Sequence, residues 1–184
     1  MAVTLKQISE YLNNLKWKHE IQADEDVILT GMNTDNIQTL ILISIKENGE
    51  YFEMLAPCIV ANVLESPYKE AIFQTILSIS WETKFVQWEY DVSDGEIRAI
   101  IEFPLEDSTL TQRQFSRCFH GMMQVLDNAV PRLEHVMTTG HDPGDPELDE
   151  LLLLQIQQQM PGLLNRLERA IENRKRRGAF PKLP

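Results

Sequence analysis

The sequence predicts an α+β domain in which hairpins build an antiparallel sheet and helices pack on one of its faces. Three observations predict it. Asn48-Gly49 and Asp94-Gly95 each lie between β-branched or aromatic runs, and such dipeptides supply the positive φ values that tight hairpin turns require. Apolar stripes of helical period occur before, between and after those runs. The composition, 184 residues with 43% apolar and 24% charged, is that of a globular chain able to bury its own core.

Taken in order, Leu5, Ile8, Leu12 and Leu15 share a helical face, and Thr4 and Gln7 stand in capping-box relation at its start. Beyond Trp17 the pattern turns extended, and residues 27–32 read as a first strand. Gly31 and Asn33-Thr34-Asp35-Asn36 mark a loop. Residues 40–45 and 51–55 form the first hairpin, with Pro57 ending it. Ser66-Pro67 is a helix start, opening a helix with Ile72, Ile76 and Ile79 on one face. Residues 85–90 and 96–103 form the second hairpin, closed by Pro104. A long helix then begins near Thr111, with Gln114 completing a second capping box. Its stripe is Phe115, Phe119, Met122, Leu126, Val130 and Leu133, and Pro131 is expected to bend or shorten it. Residues 141–146 break the chain. A last helix starts at Asp145-Pro146 and is interrupted at Met160-Pro161-Gly162. The order is α-β-β-β-α-β-β-α with a C-terminal helical appendage, giving a domain over residues 1–139 and an appendage over 140–184.

Charge divides the chain. The net value is −11, yet residues 165–184 hold seven basic and two acidic side chains, which leaves about −16 to the first 164 residues. An acidic body of that kind repels phosphates, so nucleic acid is not its expected partner. The N-terminus lacks the apolar core of a signal peptide. The longest apolar runs, Leu40 to Ile43 and Leu151 to Leu154, fall far short of the roughly 20 residues of a membrane span. A cytoplasmic protein is expected.

Chemistry-bearing patterns are sparse. No GxSxG, GxxxxGK[ST] or GxGxxG occurs. Cys118 and His120, two apart on a helix, point in different directions and cannot readily share a proton. Cys58 and Cys118 make no CxxC pair and are expected to be reduced, buried small hydrophobes. The histidines and aspartates of residues 135–145 sit at a helix end and in a proline-broken linker, without rigid metal geometry. No catalytic residue, metal ligand or cofactor is predicted.

Two features bear on partners. In the run Phe85 to Tyr90, alternation sets Val86, Trp88 and Tyr90 on one side and Phe85, Gln87 and Glu89 on the other. Trp88 and Tyr90 are either core residues or, with Trp81 and Phe85, part of an exposed patch that recognises another protein. The appendage, with Leu151 to Leu154, Ile156, Leu163, Leu164, Leu167 and Ile171, is amphipathic. It can pack on its own domain, pair with a second copy or a partner helix, or touch a membrane surface. Arg174, Lys175, Arg176 and Arg177 at its end suit an acidic patch or anionic lipid, or else form a solvated tail.

The stretches Ala71 to Leu77, Lys84 to Glu89, Asp94 to Ile97, Ile101 to Asp107 and Leu110-Thr111, with the hairpin leading into Met54 to Pro57, resemble the YbjN-like family. The resemblance spans about residues 4 to 137. It implies a fold similar to type III secretion chaperones and a regulatory or chaperone-like role, with a dimer as one possibility, and it supplies no functional residues. The length and the helical appendage resemble those of cyanobacterial members. The expected function is therefore a non-enzymatic protein-interaction or chaperone-like module. The alternative is a regulator tethered to anionic lipid or nucleic acid through its basic end; an enzyme with an unrecognised site comes last.

Overall fold

Tight-turn chemistry and alternating apolar residues place the strands, and a computed structural model describing residues 2–177 other than 23, 25 and 35 shows how they pair. The elements are α1 (Leu5–Asn14), β1 (His19–Gln22), β2 (Val27–Asn33), β3 (Gln38–Lys46), β4 (Tyr51–Val60), α2 (Lys69–Glu82), β5 (Gln87–Tyr90), β6 (Ile97–Pro104), α3 (Gln112–Thr139), α4 (Pro146–Gln159) and α5 (Leu163–Arg177). The six strands form one antiparallel sheet in the order β1-β2-β3-β4-β6-β5. The α+β class and the hairpin-and-helix order are those the sequence predicts. The extended stretch after Trp17 adds β1 as a short edge strand.

The two faces of the sheet differ. Ile28, Ile43, Met54 and Ile101 lie side by side across four strands and are buried beneath the helices. Thr30, also buried there, donates its hydroxyl to the Lys18 carbonyl at 2.8 Å, which satisfies it. The opposite face carries the ladder Leu29-Leu42-Leu55-Ile100 and polar pairs such as Lys46–Glu53 at 2.6 Å. Against the buried face lies the predicted α3 stripe, all six of its residues inside the core. Phe115 and Phe119 stack at 5.8 Å, Phe52 meets Phe115 edge-on, and Trp17 meets Phe119 edge-on at 5.1 Å. A second cluster joins Ile72, Ile76 and Ile79 of α2 to Ala129, Leu133 and Val136 of α3.

Helix ends follow the sequence with local corrections. Thr111 and Gln114 form the full reciprocal box, at 3.2 and 2.9 Å. Thr4 caps the amide of Gln7, but the Gln7 side chain turns to the Tyr11 hydroxyl and the Leu110 carbonyl instead. Ser66-Pro67 makes a turn, in which Ser66 Oγ accepts from the Tyr68 amide, and α2 begins two residues after Pro67. Strand β4 continues through Pro57. A bulge between Ala56 and Val60 absorbs the proline, and Cys58 sits in it at φ 51°. Helix α3 runs unbroken through Pro131. A proline there cannot donate to the carbonyl four residues back, that of Asp127; Asn36 Nδ2 donates to that carbonyl instead, at 3.3 Å, while Thr34 Oγ1 donates to the Asp127 carboxylate. The proline thus leaves an acceptor that fastens the β2–β3 loop to α3. Asp35 of that loop lies outside the described residues.

By internal contacts the chain divides into Met1–Pro143 and Gly144–Pro184. In the first unit, Arg132 of α3 is only 7% exposed and donates to Glu82 at the end of α2 (2.6 Å) and, bidentately, to Asp142 (2.6 and 2.7 Å). Asp142, then Glu82, push the guanidinium pKa above its usual value. The second unit consists of α4 and α5 joined at Met160-Pro161-Gly162. Lys182 of the basic end lies outside the described residues.

Candidate functional site

Helix α2 is apolar on two sides. Ile72, Ile76 and Ile79 enter the core, whereas Phe73, Leu77 and Trp81, each four residues apart, line the outer side. At the start of this outer stripe Phe73 packs edge-on against Tyr90 of β5 at 4.9 Å. Lys69 Nζ donates to the Tyr90 hydroxyl at 3.0 Å and covers both rings. Toward the end of α2 the stripe opens to solvent: Leu77 is 69% exposed and Trp81 90%. Phe85, 54% exposed, follows just beyond the helix. Its φ of 73° is a region that bulky side chains avoid.

The sequence-predicted residues take different places. Trp88 and Tyr90 lie on the helix-covered side of β5, half-buried: Trp88 touches both core clusters, and Tyr90 lies beneath Phe73. The Trp88 indole N–H is enclosed and has no acceptor among the described residues. Arg174, Lys175 and Arg176 are exposed on α5, and Arg176 pairs with Glu172 one turn earlier. Arg177 ends that helix. The sequence reading places Trp81 and Phe85 in a candidate exposed patch but does not join Leu77 to them; the period-four run Phe73, Leu77, Trp81 was the available signal.

Other polar groups are not gathered with it. Cys118 is buried and its thiol pKa is raised by desolvation, while His120 is exposed and bonds the Ser116 carbonyl at 2.8 Å. Both cysteines were expected to be buried, but Cys58 is exposed because the bulge turns it outward. Partial desolvation, then the Glu96 carboxylate, raises its thiol pKa. A groove of about 870 Å³, lined in part by Trp17, Met32, Leu40, Pro57 and Cys58, lies near the far end of β2 and β3. Among the described residues no three His, Cys, Asp or Glu side chains gather as a metal would require, and no helix is long and apolar enough to cross a membrane.

No protein-family profile matches the chain, and no curated protein matches it in sequence. Solved structures do match. A chain of the HopA1–SchA chaperone–effector complex has a TM-score of 0.47 at 14% identity, over 66% of this chain and 88% of that one. YbjN of E. coli, described as a candidate transcription regulator, has a TM-score of 0.51 at 12% identity, over 70% of this chain and 93% of that one. At such identity the likeness is one of architecture, and the chain carries the YbjN fold.

Proposed function

We propose that this chain is a non-enzymatic, cytoplasmic protein-interaction module of chaperone-like or regulatory kind, which holds another polypeptide on the outer stripe of α2. The observation that carries this reading is Trp81, 90% exposed at the end of a stripe whose opposite side is core. Exposed tryptophan within an apolar patch is the residue type on which interface energy concentrates. The fold supplies a rigid base, since Ile72, Ile76 and Ile79 fix α2 against α3. A partner segment with its own apolar stripe, helical or extended, would cover Leu77, Trp81 and Phe85 together.

The test is affinity purification of the tagged full chain, followed by calorimetry with the polypeptide recovered. The expected result is one polypeptide in near-stoichiometric yield, bound at least about tenfold more weakly by Leu77→Ser/Trp81→Ser, as loss of a hot spot requires. Recovery of nothing above background, or equal binding by the variant, would sink the reading.

A second reading draws on the exposed Arg174, Lys175 and Arg176 of α5, which suit a tether to anionic lipid or nucleic acid. A salt-sensitive attachment lost on removing residues 173–184 would favour it.

A further inference from the structure

Helix α4 carries Leu151, Leu152, Leu153 and Leu154 in succession. With 3.6 residues per turn, four successive side chains point nearly all the way round a helix. Such a helix belongs in the interior of an assembly, yet these leucines are 43–58% exposed. Among the described residues of its own unit α4 has only α5 beside it, and α5 also leaves apolar side chains exposed. Leu164, Leu167 and Ile171 make a stripe at 3,4 spacing, with Leu167 and Ile171 exposed. Two helices of 14 and 15 residues cannot enclose that much apolar surface by themselves.

The charges indicate what covers it. The start of α4 is acidic, with Glu147, Asp149 and Glu150, and the end of α5 is basic, with Arg174, Lys175, Arg176 and Arg177. Residues 146–184 hold seven basic and five acidic side chains, +2 in all, which leaves −13 of the chain's −11 to residues 1–145. Two bodies therefore repel each other far more than two appendages do. Opposite signs at the entry to α4 and the exit from α5 make the pair of helices complementary to a second pair. In a two-fold pairing the acidic start of one copy meets the basic end of the other, twice. An anionic surface would call on only one of the two signs. We propose that α4 and α5 associate with the same helices of a second copy of this chain, as a four-helix bundle enclosing Leu151 to Leu154.

Sedimentation velocity on the full chain, across a dilution series, tests this. The expected species has twice the 21.3 kDa of one chain and dissociates on dilution. Leu152→Glu/Leu153→Glu leaves a monomer with an unaltered thermal unfolding midpoint. Arg174→Glu/Lys175→Glu/Arg176→Glu, and separately Asp149→Lys/Glu150→Lys, each weaken self-association by at least about tenfold. A mixture of the two charge variants forms a mixed dimer that neither forms alone. Three results overturn the proposal. One is a monomer at every concentration. Another is a dimer indifferent to the leucine substitutions and abolished by Trp81→Ser, which moves the contact to α2. The third is a monomer that co-sediments with phosphatidylserine vesicles through Arg174, Lys175 and Arg176, which makes the appendage a membrane contact.

Discussion

Phe85 pairs an unfavourable backbone with an exposed ring. A non-glycine residue in the left-handed region costs about 1–2 kcal/mol, and at φ 73° with 54% exposure the ring returns little of that through packing. Strain of this sort concentrates where function requires it. Phe85→Gly should raise stability toward chemical denaturation by about 0.5–1 kcal/mol, part of the relief being offset by the entropy of a glycine in the unfolded chain. The same substitution should weaken capture of the partner held on α2. A loss of stability would show that Phe85 is a packing residue and remove it from the site. This residue could not be read correctly from alternation alone. Parity in the run 85–90 separates Phe85 from Trp88 and Tyr90, but only the position of α2 decides which side is covered.

At the scale of the element, the legible parts were those set by local chemistry. Asn48 and Gly49 both take positive φ in the first hairpin turn. Gly95, at φ 77°, sits so close to the Leu64 amide that an added Cβ would lie 2.8 Å from it. The α3 stripe and its capping box follow from spacing. What local chemistry did not reveal was how the neighbours compensate for a proline. The bulge lets β4 continue past Pro57, and Asn36 takes up the carbonyl that Pro131 leaves without a donor. Pro131→Ala restores the helix hydrogen bond, so it should gain stability. The gain should be less than the ~3 kcal/mol of an interior proline, because Asn36 must then share its acceptor with the restored amide. Hydrogen exchange is the check: the Ile37 amide, which donates to Thr34 Oγ1 at 3.2 Å, should exchange faster in the variant. Unchanged protection there would mean that the loop is held without the Asn36 bond to the Asp127 carbonyl, the Thr34 bond to the carboxylate sufficing.

For the whole molecule, the sequence's division of charge matters more than its net value. A body carrying −13 is destabilised by its own field, and salt screens that field over a Debye length of about 8 Å at physiological strength. Thermal unfolding should therefore shift upward as sodium chloride is raised from low concentration; a midpoint that falls instead would mean that ion pairs such as Arg98–Glu89 and Arg132–Glu82 outweigh the repulsion. The hairpin pairings β3–β4 and β5–β6 follow from turn positions, whereas the pairing of β4 with β6 joins strands separated by α2 and is not set by any turn. The outer stripe of α2 was not legible in the same way, because a helix apolar on two sides does not announce that its second side will stay uncovered.

Trp81 also gives the protein an optical signature. Of its three tryptophans, Trp17 is held edge-on to Phe119 with its indole N–H on the Gly31 carbonyl, and the Trp88 indole nitrogen is enclosed. Trp81 alone projects almost wholly into water. Red-shifted emission open to iodide quenching thus belongs to the α2 stripe, and its disappearance times the moment the stripe becomes covered.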